Sequence, residues 1–281
     1  MKMKVYLSVW VLILLVVGVE YYALNFQPQH SILLSLQKKG FLSDSISITS
    51  EPGRPISLWL GWIGLTLMIT MNVYSLRKRV GYFQNWGRLS QWLNFHVFCG
   101  LVGPTLILFH CNFKVRGLVG ISFWSMVISF SSGIIGRYFY VQMLKAKVDF
   151  EKEAEKRILQ LKTILEKNKI QVIEDEIELY IKKALHFVGV PAHAEINPFS
   201  AFFRSSWGDI KLAFQQPSAP GHWPRVSKQI LALVAIQKRR ALFLESFQNL
   251  MGYWHTFHFP FAVFMYIAAA IHVAAALVFG I

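Results

Sequence analysis

Trp92–Phe113, WLNFHVFCGLVGPTLILFHCNF, is an apolar run long enough to cross a bilayer, yet it carries two histidines, His96 and His110. Fourteen residues at about 100° each return to within roughly 40° of the starting direction, so both imidazoles share one helix face, roughly 21 Å apart along the axis. Gly103 lies midway between them on that face. Near the C-terminus, HFPFAVFMYIAAAIHVAAALVFGI repeats the pattern with His258 and His272. Two such spans offer matched histidine pairs to two metal centres, one above the other.

The composition agrees with a membrane setting. Of 281 residues, 54% are hydrophobic and 15% aromatic, and the mean hydropathy is +0.40, which points to an integral membrane protein rather than one or two soluble domains. A net charge of +14 does not call for nucleic acid, because the basic residues sit mainly beside apolar runs, where they orient helices and meet anionic headgroups. The two cysteines, Cys99 and Cys111, are about 18 Å apart on one helix, too far for a disulfide, and read as packing residues. They form no Cys-x-x-Cys-His signature, so a covalent c-type haem is not indicated.

The chain divides into an N-terminal anchor helix (1–25), an exposed loop (26–55), transmembrane helices two to four (56–145), a cytoplasmic helical insertion (146–252) and a fifth transmembrane helix (253–281). The first apolar run, Val5 to about Leu24, follows Lys2 and Lys4 and reads as an uncleaved anchor. Ile56–Leu76 ends in Arg77-Lys78-Arg79, which marks the cytoplasmic side. From there Trp92–Phe113 runs outward, Gly120 to about Leu144 returns, and Lys145 and Lys147 mark the inside again. The last span starts near His258, so the N-terminus is cytoplasmic and His96 shares a depth with His258, as His110 does with His272.

Within the insertion, Ile158, Leu161, Leu165, Ile177, Ile181 and Leu185 recur at helical spacing among Lys and Glu, an amphipathic helix or hairpin from Val148 to about Val188. A connector marked by Pro191, Pro198, Pro217, Pro220-Gly221 and Pro224 follows, then a helix from about Val226 to Met251 with Lys238-Arg239-Arg240 as a solvated face. There is no dinucleotide fingerprint, P-loop or Cys-rich iron–sulfur motif, so electrons entering from this side need another polypeptide or a lipid-soluble carrier.

A single histidine in a span is explained by an interhelical hydrogen bond. A duplicated spacing of fourteen is not. Two imidazoles per level, without a carboxylate or thiolate cluster, suit the axial positions of a haem. Small residues make room for the macrocycle or for close helix packing: Gly100 and Gly103, Gly133 and Gly136, and Ala262, Ala268, Ala269 and Ala276. Arg137 is a propionate partner or a snorkelling interfacial residue, and Lys114 and Arg116 serve the outer haem or contact headgroups. Pro260 starts or kinks the last helix, which makes His255 a competing ligand to His258. His30, His186, His193 and His222 lie in polar segments and read as surface histidines.

Across residues 56–145 and 245–281 the arrangement resembles di-haem membrane b-type cytochromes, in particular ferric-reductase-like transmembrane domains. WLNFHVFCGLVGPTLILFH, SGIIGRYFY and WHTFHFP also look like a group of bacterial membrane proteins. The resemblance implies bis-histidine haem b at His96, His110, His258 and His272. It also implies an electron-transfer subunit of the bacterial inner membrane that lacks its own flavin or nicotinamide domain. The expected fold is an all-α bundle of five transmembrane helices with a four-helix haem-binding core. The expected partners are lipid, a quinone, or redox subunits such as a cytochrome c or an iron–sulfur protein. Two other readings fit the residues less fully: a histidine-lined proton or metal transporter, and a structural membrane subunit.

Overall fold

The computed structural model describes residues 3–83, 85–115, 117–171, 173–191 and 197–279. Among them every regular element is helical: α1 (Met3–Phe26), α2 (Ile32–Lys38), α3 (Pro55–Thr70), α4 (Val73–Arg79), α5 (Leu89–His110), α6 (Gly117–Gln142), α7 (Lys147–Lys167), α8 (Glu174–Phe187), α9 (Pro198–Phe214) and α10 (Arg225–Phe279). Five stretches are long and apolar enough to cross a membrane: α1, α3 with α4, α5, α6 and α10. The chain is therefore a multi-pass helical membrane protein, with the expected number of spans. Arg116, His193 and Ile281 lie outside the described residues.

Three local expectations are corrected. The expected 226–251 helix and the fifth span are one 55-residue helix, with Pro260 inside it. Proline removes one N–H, but in a membrane helix the freed carbonyl is tolerated where neighbours or side chains compensate. The proline-marked connector contains α9, because Pro198 sits in the first turn, where its missing N–H costs nothing, and Asn197 caps the helix by accepting from Ser200 N–H at 2.7 Å. The loop after the anchor holds α2, whose first turn is capped by Glu20 of α1 through Ile32 N–H at 2.9 Å and Leu33 N–H at 3.1 Å.

The chain separates into two compact units, one of residues 1–133 and 258–281, the other of residues 134–257. In the first, ring contacts pair Tyr6 with Phe98 and Tyr21 with Phe109, so α1 and α5 run parallel. Contacts of α5 with α3 and α4 run the other way: His110 meets Ser57, Gly103 meets Gly64, and His96 meets Met71. On α10, Phe259 lies under Arg79 and Tyr266 bonds to Asn72 at 2.7 Å, so this part of α10 is parallel to α5. Met126 with Met265, and Ser132 with His258, make α6 antiparallel to both. These relative directions are those of the expected threading.

In the second unit, Leu161 and Leu165 of α7, Ile177 and Ile181 of α8, and Leu231 and Val234 of α10 form one buried core. The helical spacing of the first four put them on one face, and that face is the one buried. A second cluster gathers Phe139, Ala201, Phe243, Phe247 and Leu250.

Candidate functional site

The four histidines are set in the first unit by a shared rung. A β-carbon at Gly103 would lie 2.7 Å from Met68 Cγ, so α5 presses against α3 there, and Met68, Met126 and Met265 form one buried cluster. Gly103 on α5 meets Met68, and on α10 Met265 shares the cluster with Met68 while the Tyr266 hydroxyl donates to the Met68 carbonyl. His96 and His110 stand seven residues either side of Gly103, and His258 and His272 stand seven residues either side of Met265. Seven residues are two helical turns, about 10.5 Å. Because the two helices run parallel, one histidine of each lies about that far below the rung and one about that far above it.

At the upper level, His110 and His272 open onto the same cavity, about 410 Å³ in volume. Its walls are largely apolar, from Leu58, Trp62 and Leu65 on α3, Phe123 on α6, and Ala269 and Ala276 on α10; Tyr266 and Ser122 add hydroxyls. This falls within the roughly 300–1,000 Å³ usual for small-molecule and cofactor pockets. Two of the small residues expected to make room for a macrocycle, Ala269 and Ala276, line it. Gly103 faces α3 instead, and a β-carbon at Gly136 would meet the Trp254 indole at 2.2 Å, so both glycines serve close helix packing.

Backbone carbonyls decide the tautomer of two imidazoles. His110 Nδ1 is 2.8 Å from the carbonyl oxygen of Ser57, and His96 Nδ1 is 3.0 Å from that of Met71. A carbonyl only accepts, so in both rings Nδ1 donates and the lone pair is on Nε2. The Met71 carbonyl is available because the helix breaks between Thr70 and Val73: Ser75 N–H turns to Asn72, and Met71 receives only a 3.3 Å bond from Tyr74. At His258, one partner is Ser132 Oγ at 2.6 Å. The same hydroxyl lies 2.9 Å from the Ser129 carbonyl, so its one proton can go to either acceptor. The His96 and His110 rings are thus oriented from Nδ1 with the Nε2 lone pair left for another partner.

Gly61 completes the upper level. A β-carbon there would lie 2.8 Å from His110 Nδ1, so the ring rests on bare backbone and keeps its bond to Ser57. Ser57, Gly61, Met71 and Ser132 were not expected as part of the site, since nothing in the spacing of α5 or α10 marks a partner on α3 or α6.

The remaining expected residues are placed as follows. His255 is exposed and His258 half-buried against Ser132. Arg137 belongs to the second unit, its guanidinium 5.4 Å from the centre of the Tyr140 ring. Lys114, His30, His186 and His222 are exposed. Cys99 and Cys111 are buried free thiols. Arg239, expected on a solvated face, is instead buried: its Nη1 donates to the carbonyls of Val188 (2.9 Å) and Ser205 (3.1 Å), and its Nη2 to Asp209 (2.6 Å). The other Asp209 oxygen accepts from the Tyr138 hydroxyl at 2.8 Å. Among the described residues no three His, Cys, Asp or Glu side chains gather as a metal-binding group, so the candidate donors are imidazole pairs. No family model, curated protein or solved structure matches this chain.

Proposed function

We propose that this chain is a membrane b-type cytochrome that carries electrons across the bilayer through two haems, one held by His110 and His272, the other by His96 and His258. The observation that carries the reading is the common rung at Met68, from which both histidine pairs stand off by seven residues in each direction. A packing role for four separate histidines does not require that register. The residues fit the group: the lone pair is on Nε2 in His96 and His110, and the cavity beside His110 and His272 is lined by apolar side chains.

When bound, haem supplies a one-electron iron couple. The protein's own residues do the rest. Carbonyl acceptors at Nδ1 of His96 and His110 fix the rotation of each ring and raise its basicity as a ligand. Leu58, Trp62, Leu65 and Phe123 keep water from the upper level. The methionine cluster fills the layer between the levels with polarizable side chains. The chain acts as a subunit of the bacterial inner membrane with its N-terminus cytoplasmic. It exchanges electrons with a quinone or with a partner such as a cytochrome c or iron–sulfur protein.

A pyridine haemochrome assay on the purified chain should return two haems b per polypeptide, with reduced b-type bands on adding dithionite. A return of no haem, or haem that resists acid–acetone extraction, overturns the reading.

A further inference from the structure

Helix α9 has its faces in an order that water does not favour. Ala201, Ser205 and Gly208 turn inward and are buried, Gly208 so closely that a β-carbon would lie 2.2 Å from the Val188 carbonyl oxygen. The opposite face exposes Phe199, Phe203, Trp207, Ile210 and Phe214, the last at 84%. At 100° per residue these five fall within an arc of about 80°. A solvated helix would carry charge on that arc, and a contiguous aromatic stripe marks an interaction surface.

Three observations say what covers it. Phe199 stacks on Tyr253 of α10, with ring centres 6.5 Å apart and planes 7° from parallel, and Tyr253 stands five residues before His258, where the last apolar span begins. Phe202 packs edge-on against Tyr138 (5.8 Å) and Phe139 (5.4 Å), at the end of the span Val119–Gln142. The helix is therefore tied to the ends of two apolar stretches long enough to span a membrane. Of its three charged residues, Asp209 is turned to Arg239, which leaves Arg204 and Lys211 beside the stripe. Seventeen residues reach about 25 Å, short of the roughly 30 Å hydrocarbon core, and α9 is not among the apolar spans.

We propose that α9 lies in the plane of the membrane interface, its aromatic face sunk into the acyl boundary and Arg204 and Lys211 among anionic headgroups. An apolar face rich in aromatics with basic residues at its edge is the composition of interfacial helices. The anchorage holds the 134–257 unit against the bilayer, and it does not depend on haem.

The test uses the full chain in nanodiscs of phosphatidylcholine and phosphatidylglycerol, with a nitroxide at Phe203→Cys, Ile210→Cys or Ser218→Cys; the unsubstituted protein, whose two cysteines are buried, is the blank. All three positions are exposed, and the one ring contact removed is that of Phe203 with its neighbour Phe202. Collisions with oxygen should exceed those with a water-soluble nickel chelate at positions 203 and 210, with the reverse at 218. Nickel exceeding oxygen at 203 and 210 would put the helix in water and overturn the proposal. Exclusion of both reagents there would mean that protein, a second copy or another subunit, covers the stripe, and would overturn it equally.

Discussion

In the unit of residues 134–257, one buried network ties helices together: Arg239 is held by Asp209 and two carbonyls, and Asp209 by Tyr138, while Arg239 Nε finds no partner among the described residues. In the unit of residues 1–133 and 258–281, His96 and His110 each bond a backbone carbonyl through Nδ1, and His110 and His272 front a cavity. The first pattern joins side chains to each other and to the backbone, which stabilises a fold. The second fixes ring directions, that of His110 beside a cavity, and leaves Nε2 of His96 and His110 outside those bonds. A buried polar group therefore tells most about function when its partners fix its direction without exhausting its valence.

The sharpest break of that comparison is Arg239→Ala. It leaves Asp209 and two carbonyls without their donor, and loss of one partner of a buried ion pair costs about 3–5 kcal/mol. Thermal unfolding followed by circular dichroism should show a large drop in midpoint, with haem per folded chain unchanged. Equal loss of haem in the folded fraction would erase the distinction between the units.

Next come the ligands. His110→Ala and His272→Ala should each remove one haem of the pair and give the same altered redox titration, distinct from that shared by His96→Ala and His258→Ala. If His255→Ala matches His96→Ala, the lower ligand is His255. Smaller is Gly61→Ala, whose new methyl meets the His110 ring and must displace it from Ser57. Overpacking of this kind costs about 1–3 kcal/mol, and the potential of the upper level should shift while the lower stays fixed.

The smallest effect is at the surface of the second unit. Lys162 bonds Glu174 at 2.5 Å and, by that bond and its charge, holds the carboxyl below the ordinary glutamate value. A carboxyl depressed in the folded state contributes stability above its unfolded pKa of about 4.3 and loses it as pH falls through the lower folded value. Melting midpoints should therefore fall slightly more in the parent than in Lys162→Gln as the pH is taken through that window, and by little, because the pair is exposed.

Much of this was legible before any coordinates. Apolar length marked the spans, and helical periodicity put Leu161, Leu165, Ile177 and Ile181 on one face, which is the buried one. What escaped were features whose cause lies elsewhere in the chain. Arg239 reads as one of three solvated cations because neither Asp209 nor Val188 is near it in sequence. Pro198 reads as a connector because a proline opening a helix and one ending it look alike until the cap at Asn197 is seen.

The sequence by itself determined that His96 and His110 share a face, and that His258 and His272 do, because the period of an α-helix is a local property. Only the tertiary structure brings His110 and His272 onto one cavity, since the slide of α5 along α10 is set around Met68, which Gly103 lets approach and whose carbonyl the Tyr266 hydroxyl bonds. It alone decided which nitrogen donates in His96 and His110, because that depends on the Met71 carbonyl at the break after Thr70 and on the Ser57 carbonyl of another helix. Periodicity repeats every turn, whereas register between helices is a contact between residues far apart in the chain.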